Sequence, residues 1–290
     1  MSWRVIPRPE RDILGEGLLW SPRGNALYWT DIIGQKLWRL SLADNAVTHW
    51  DMPEKIGWVI ERAGGGLVAG LQSGFHRLWL DPFRLEAIAD PEPDLPDNRL
   101  NDAKADSHGH IWAGTMPVAP GSPSTWPASG GLYRLARDGR ITQHDRAITI
   151  ANGPAFSPDG RTMYHTDSAR HTVWRFSLDA NGTPGPRAIH IACDPAQGAP
   201  DGMTCDAQGG LWIGFYGGAR VARYTPDGRL DRAITLPTPQ ITNVAFAGPA
   251  LDRMFVTSAG DGRPNDPLAG ALFEVTGHDA TGLPPGLYAG

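Results

Sequence analysis

Asn152-Gly-Pro-Ala-Phe-Ser-Pro-Asp-Gly160, continued by Thr162-Met-Tyr-His-Thr-Asp-Ser168 and Thr172-Val-Trp-Arg-Phe176, is one unit of a repeat. A polar residue opens a short strand, and Ser157-Pro-Asp-Gly160 supplies a turn. A β-branched and aromatic strand then returns, and a third strand alternates apolar and polar residues. The return strand recurs on both sides, for example as Asn25-Ala-Leu-Tyr-Trp-Thr-Asp31, Gly109-His-Ile-Trp-Ala-Gly-Thr115 and Arg253-Met-Phe-Val-Thr-Ser258. Taking Leu27, Leu67, Ile111, Met163, Leu211 and Met254 as equivalent gives steps of 40, 44, 52, 48 and 43 residues. A period of about 45 residues is that of a four-stranded propeller blade. The third strand recurs too, as Lys36-Leu-Trp-Arg-Leu40, Gly131-Leu-Tyr-Arg-Leu135 and Arg220-Val-Ala-Arg-Tyr224. No segment carries a convincing helical period. The reading is an all-β chain, a single six-bladed β-propeller domain spanning residues 1–290. Trp3-Arg-Val-Ile6 is expected to supply the outer strand that closes the ring with the last blade, because closure removes exposed edges. The longest step contains Val118–Gly130, a loop long enough to lie over a pocket mouth.

Composition agrees with this and narrows function. The 36 Gly and 26 Pro are spread evenly, as many tight turns require. A net charge of −5 leaves no basic footprint for nucleic acid, and no Lys/Arg run suits an anionic membrane surface. The first ten residues lack the apolar core of a secretory signal, and no apolar run approaches the ~18 residues of a membrane span. Cys193 and Cys205 form neither a disulfide framework nor a Cys-x-x-Cys metal site, so two reduced thiols in a cytoplasmic protein are expected. Gly-x-Ser-x-Gly elbows, phosphate-cradling loops and dinucleotide fingerprints are missing, which ranks nucleophilic and nucleotide-dependent chemistry low.

The same polar position recurs across repeats. Glu16, Asn152 and Asn243 each precede a turn by five residues, and Asn101 and Asp201 by six. In a propeller the first strand of each blade lines the central channel, so these residues should surround one mouth. Counting back in the second repeat gives Trp58. The predicted ring is Glu16, Trp58, Asn101, Asn152, Asp201 and Asn243, a set of oxygen donors with one aromatic wall. Taken singly, Pro200-Asp201-Gly202 and Asn152-Gly153 are ordinary turn sequences. Glu16, between two glycines ahead of an apolar strand, has no such explanation, and the shared register is what joins the group. His108, His110, His165 and His171 are expected in turns or strands away from the mouth, as surface or packing residues.

At these residues the chain resembles the SMP-30/gluconolactonase/luciferin-regenerating-enzyme family of six-bladed propeller hydrolases. The stretches that carry the resemblance include Leu14-Gly-Glu-Gly17, Arg99-Leu-Asn-Asp102, Ala113-Gly-Thr-Met116, Asn152–Gly160, Tyr164-His-Thr-Asp-Ser168 and Pro200-Asp-Gly-Met203, in order along nearly the full length. The resemblance implies metal ligands at Glu16, Asn152 and Asp201 and sugar contacts from Arg99 and Asn101. Some members carry a substrate-contacting Glu shortly after Gly-Thr-Met, where this chain reads Pro117-Val-Ala-Pro120. That departure implies a different pattern of substrate hydroxyls.

The expectation is a metal-dependent lactonase opening a pentono- or hexonolactone to its aldonic acid, with one divalent ion. The oxygen ligands favour Ca²⁺, Mg²⁺ or Mn²⁺, and the resemblance adds Zn²⁺ and Fe²⁺. Asp201 is the candidate for taking a proton from water. Arg99, Asn101 and Asn243 would orient hydroxyls, and Trp58 would pack on an apolar sugar face. Two alternatives compete: a paraoxonase-like arylesterase or organophosphatase, which wants a greasier mouth, and a non-enzymatic binding platform, which has no use for axial carboxylates.

Overall fold

In the computed structural model, which describes residues 2–119, 121 and 123–290, six four-stranded antiparallel sheets form the blades of a propeller. Among the described residues helix is confined to three 3₁₀ turns of three residues each. The inner strands are Gly15–Ser21, Ile56–Glu61, Asn98–Ala105, Ala151–Phe156, Ala199–Cys205 and Ile241–Ala247. The first, second and last of these are buried at every residue, because an inner strand is flanked by the two neighbouring blades. Outer strands such as Val47–Asp51 touch a neighbour on one face and are half exposed. The strand Ser2–Val5 pairs with Phe273–Thr276 as the fourth strand of blade 6, so the ring is closed as the sequence predicts. Inner strands of blades 1 and 6 pack together, and Thr242 Oγ1 donates to Gly15 O across the seam at 2.5 Å.

Apolar side chains of adjoining blades fill the space between them, with Trp29, Trp38, Trp58, Trp112 and Trp212 fully buried. Two of these indoles answer to a feature repeated in sequence. Asp106 and Asp206 close the turn after the inner strand and accept from Trp112 Nε1 at 2.8 Å and Trp212 Nε1 at 2.9 Å. The turn and the core of blades 3 and 5 are thereby tied by one carboxylate each.

The chain end crosses the face that carries these turns. Gly282 N donates to Leu251 O at 2.8 Å, Ala207 N to Thr281 O at 2.8 Å, and Tyr288 N to Glu61 O at 2.9 Å. Leu283 to Gly286 then line a cavity of about 340 Å³ at that end of the axis. The opposite end opens into a larger cavity of about 670 Å³. Among the described residues no helix is long and apolar enough to cross a membrane.

Candidate active site

All six inner strands are irregular at the same level. Each takes one extra residue against its neighbour strand, between Glu16 and Leu19, Ile56 and Trp58, Leu100 and Ala103, Asn152 and Ala155, Pro200 and Met203, and Ile241 and Val244. A bulge breaks the two-residue alternation of side chains and re-aims the residue it carries. Six at one level make a ring whose polar side chains turn toward the axis. In blades 1 and 4 the residue after the polar one is glycine with positive φ, Gly17 at 59° and Gly153 at 78°. A Cβ on Gly17 would also lie 2.5 Å from Gly57 O, so glycine is required there. The approach to the same two positions is clamped. Asp31 accepts from Ile13 N at 2.9 Å and Leu14 N at 3.0 Å, and Asp167 accepts from Thr149 N and Ile150 N, both at 3.2 Å.

The larger cavity is lined by Glu16, Arg99, Asn101, Asn152 and Asp201, five of the seven residues singled out in the sequence. Three of them belong to one run of hydrogen bonds. Arg99 Nη1 donates to Asn101 Oδ1 at 2.6 Å, and Asn101 Nδ2 donates to Asn152 Oδ1 at 3.0 Å and to Ala151 O at 2.7 Å. Asn152 Nδ2 donates to Ser168 Oγ at 2.9 Å, which leaves its amide oxygen to the Asn101 side.

Two expectations are corrected. Trp58 does not line this cavity; its indole lies on Gly70 and Phe75 and faces the smaller cavity at the other end. The physical reason is the position of the bulge. Glu16 and Asn152 open the irregular stretch and Asn101, Asp201 and Asn243 lie inside it, whereas Trp58 follows it and keeps the alternation of the strand below. Asn243 is fully buried behind the ring, where its Nδ2 donates to Glu16 Oε2 at 3.1 Å. It does not line the larger cavity. A third correction concerns His171, expected away from the mouth. It lines the cavity in a left-handed conformation with φ of 50°, carried there by the 3₁₀ turn Ser168–Arg170. Tyr216 and Lys55 also reach the mouth, and nothing in their local sequence marks them. The loop after Pro117 lies over the mouth as expected, through Val118, Ala119, Gly121, Ser124 and Trp126. Pro120 and Ser122 of that loop, and Met1 of the N-terminal stretch, lie outside the described residues.

The charges around the ring do not balance. Glu16, Asp102 and Asp201 are all buried, with Arg99 as the buried cation among them. Burial, then the charge of Asp102, pushes Glu16 up to about 8, against hydrogen bonds from Asn243 and Gly17 that lower it. Burial raises Asp102 to about 6, opposed chiefly by Lys104. Asp201 is raised well above the usual carboxylate range by burial and by the charges of Glu16 and Asp102. Burial also draws Arg99 down to about 10, against the pull of Glu16 and Asp201. Like charges in a dry site hold each other neutral unless a cation joins them. Among the described residues no three His, Cys, Asp or Glu side chains converge as a ligand set. The oxygens of Glu16 and Asp201 with the Asn152 amide form instead a hard, mixed donor set, which fits a divalent cation of the Ca²⁺ or Mg²⁺ type.

A six-bladed propeller with buried carboxylates and amides at one end of its axis presents a candidate small-molecule site there. The chain matches the SMP-30/Gluconolactonase/LRE-like region over residues 14–260 and belongs to that family. It is 33% identical to a 6-deoxy-6-sulfogluconolactonase of Pseudomonas putida, across 99% of this chain and 98% of that one. It is 35% identical to an L-arabinolactonase of Azospirillum brasilense, across 97% and 93%. A crystal structure of a calcium-binding protein, regucalcin, from Agrobacterium tumefaciens superposes with a TM-score of 0.92 at 31% identity, covering 99% of this chain and 97% of that one.

Proposed function

We propose that this protein is a metal-dependent sugar lactonase that opens a pentono- or hexonolactone to the aldonic acid. The observation that carries the reading is the convergence of Glu16, Asn152 and Asp201, from blades 1, 4 and 5, on one cavity that also presents Arg99 and Asn101. The family's sugar lactonases support it. Glu16, Asn152 and Asp201 would hold the ion, Ca²⁺ by preference among divalent cations. Bound there, a divalent cation supplies Lewis-acid polarisation of the lactone carbonyl and stabilises the charge that develops on its oxygen. Asp201 takes the proton of the attacking water and later delivers it to the leaving ring oxygen. Arg99, fixed by Asn101, and the Asn101 amide hydrogen-bond the sugar hydroxyls and set the ring in register with Asp201. Asn243 holds Glu16 in place through its hydrogen bond. The overhanging loop, with Val118 and Trp126, limits water at the carbonyl. We further assign the protein to the cytoplasm, acting as one propeller domain on a small molecule with no nucleic-acid or membrane partner.

Buried polar groups reject a ligand that leaves them unpaired. Hydroxylated lactones of five or six carbons are therefore expected to be opened far faster than unsubstituted butyrolactone, phenyl acetate or paraoxon. A panel assayed with a pH indicator checks this. An equal or better kcat/KM on phenyl acetate would replace the lactonase by an arylesterase.

A further inference from the structure

One buried carboxylate of blade 3 has no place in the ring around the larger cavity. Glu92 stands on the segment that leads into the inner strand Asn98–Ala105, and it does not line that cavity. Three neutral donors converge on it, each from a different strand. Asn98 Nδ2 of the inner strand donates to Oε2 at 2.8 Å, Thr115 Oγ1 of Ile111–Pro117 to Oε1 at 2.8 Å, and Tyr133 OH of Gly130–Leu135 to Oε1 at 2.7 Å. Burial, then the bond to Glu92, pushes the Tyr133 hydroxyl above its ordinary range, so it stays a donor. Both ends of the overhanging loop are tied to the same cluster. Asn98 Oδ1 accepts from Ser129 Oγ at 2.9 Å, Thr115 Oγ1 accepts from Gly131 N at 2.8 Å, and Asp97 O, next to Asn98, accepts from Val118 N at 2.7 Å. Arg99 follows Asn98 and pairs with Met116, which follows Thr115. Besides the larger cavity, Arg99 borders a second one of about 310 Å³ whose lining includes Glu92, Asn98 and Thr115. A side chain that lines two cavities is fixed less by packing than by the backbone that carries it and by its bonds, here to Leu100 O at 3.1 Å and to Asn101.

We propose that Glu92 is a positioning residue for substrate recognition: by holding Asn98 and Thr115 it fixes the backbone that carries Arg99 and the start of the overhanging loop, so that the guanidinium meets the hydroxyls of the lactone. A buried polar cluster with its members paired specifies one arrangement, and removing the central acceptor strands the donors around it. A displacement of about 1 Å at a group that orients substrate can cost about a hundredfold in rate. The inference rests on the lactonase reading and adds a residue, outside the cavity, that sets its discrimination between lactones.

The test compares Glu92→Ala, Glu92→Gln and Tyr133→Phe with wild type, in the full-length, metal-loaded protein, on gluconolactone and on unsubstituted butyrolactone. Glu92→Ala is expected to lower the gluconolactone-to-butyrolactone ratio of kcat/KM about tenfold, mainly through KM, with bound metal per chain unchanged. Glu92→Gln keeps an acceptor for Thr115 and Tyr133 but turns an amide toward Asn98, so its ratio should fall between the two. Tyr133→Phe removes only the bond furthest from Arg99 in strand order, and should lower the melting temperature while keeping the ratio. A wild-type ratio in folded Glu92→Ala, equal losses on both lactones, or a loss in Tyr133→Phe as large as in Glu92→Ala would overturn the inference and leave the lactonase standing. Should Glu92→Ala not fold, Asn98→Ala cuts the bond next to Arg99 and carries the same expectation, with an unchanged ratio counting against it. If wild type opens neither lactone, the lactonase reading fails and this inference falls with it.

Discussion

Single residues decide between roles that look alike in the sequence. Trp58 and Arg99 both read as substrate contacts there, yet the indole is fully buried against Phe75 and Gly70 while the guanidinium faces the larger cavity. Trp58→Ala should therefore act on stability, lowering unfolding free energy by about 3–5 kcal/mol through lost burial and a cavity. The kcat/KM of the molecules that remain folded should change little. Arg99→Ala should do the reverse, weakening transition-state binding of hydroxylated lactones by about 1–3 kcal/mol, the scale of an unpaired polar contact. Denaturant unfolding and lactone kinetics on both variants check the pair, and exchanged effects would contradict the assignment. The polar residues of the ring are legible because each keeps a fixed distance from a turn. Asn243 keeps that distance as well, but depth is not written in spacing, and the structure places it behind Glu16. His171 escapes a sequence reading because its position is set by the turn Ser168–Arg170, which joins two strands at the mouth and leaves no periodic signal.

At the level of elements, the sequence speaks most clearly where alternation and turn chemistry agree. Return strands such as Ile111–Pro117 and third strands such as Thr172–Leu178 fall where their β-branched and aromatic residues predict. The closing strand Ser2–Val5 is legible from the need to cover an edge. The bulges are not, because an extra residue in one strand shows only against its partner. They explain both the success of the ring and its failure in blade 2. Asp201, between Pro200 and Met203, lines the larger cavity, whereas Trp58, which follows the irregularity of its strand, does not. The crossing segment that ends at Gly290 is equally hidden, since its hydrogen bonds reach Leu251, Ala207, Glu61 and Gly109 far along the chain.

For the whole molecule, the ring gathers negative charge that the polypeptide alone does not neutralise. Without metal, Glu16 is raised to about 8 and Asp102 to about 6, from ordinary values of 4.5 and 3.8, and Asp201 rises in the same direction. A carboxyl whose folded value is raised favours the folded state fully below its unfolded value and loses that contribution as pH climbs through the folded one. The chelated protein is thus expected to lose stability as pH rises from about 4 to about 8. A bound cation replaces the missing protons, so the stabilisation it gives should grow over the same range. Melting curves of chelated and metal-loaded protein from about pH 5 to about pH 8.5 should show a widening gap, and a gap independent of pH would argue against carboxylates as ligands. The most direct test of the account is a metal titration of the chelated protein, with bound metal measured alongside hydrolysis of a sugar lactone. The account predicts that chelation abolishes turnover, that one divalent ion per chain restores it, and that Asp201→Ala and Glu16→Ala recover neither bound metal nor activity. Full turnover by the metal-free protein, or wild-type metal binding and activity in either variant, would contradict it.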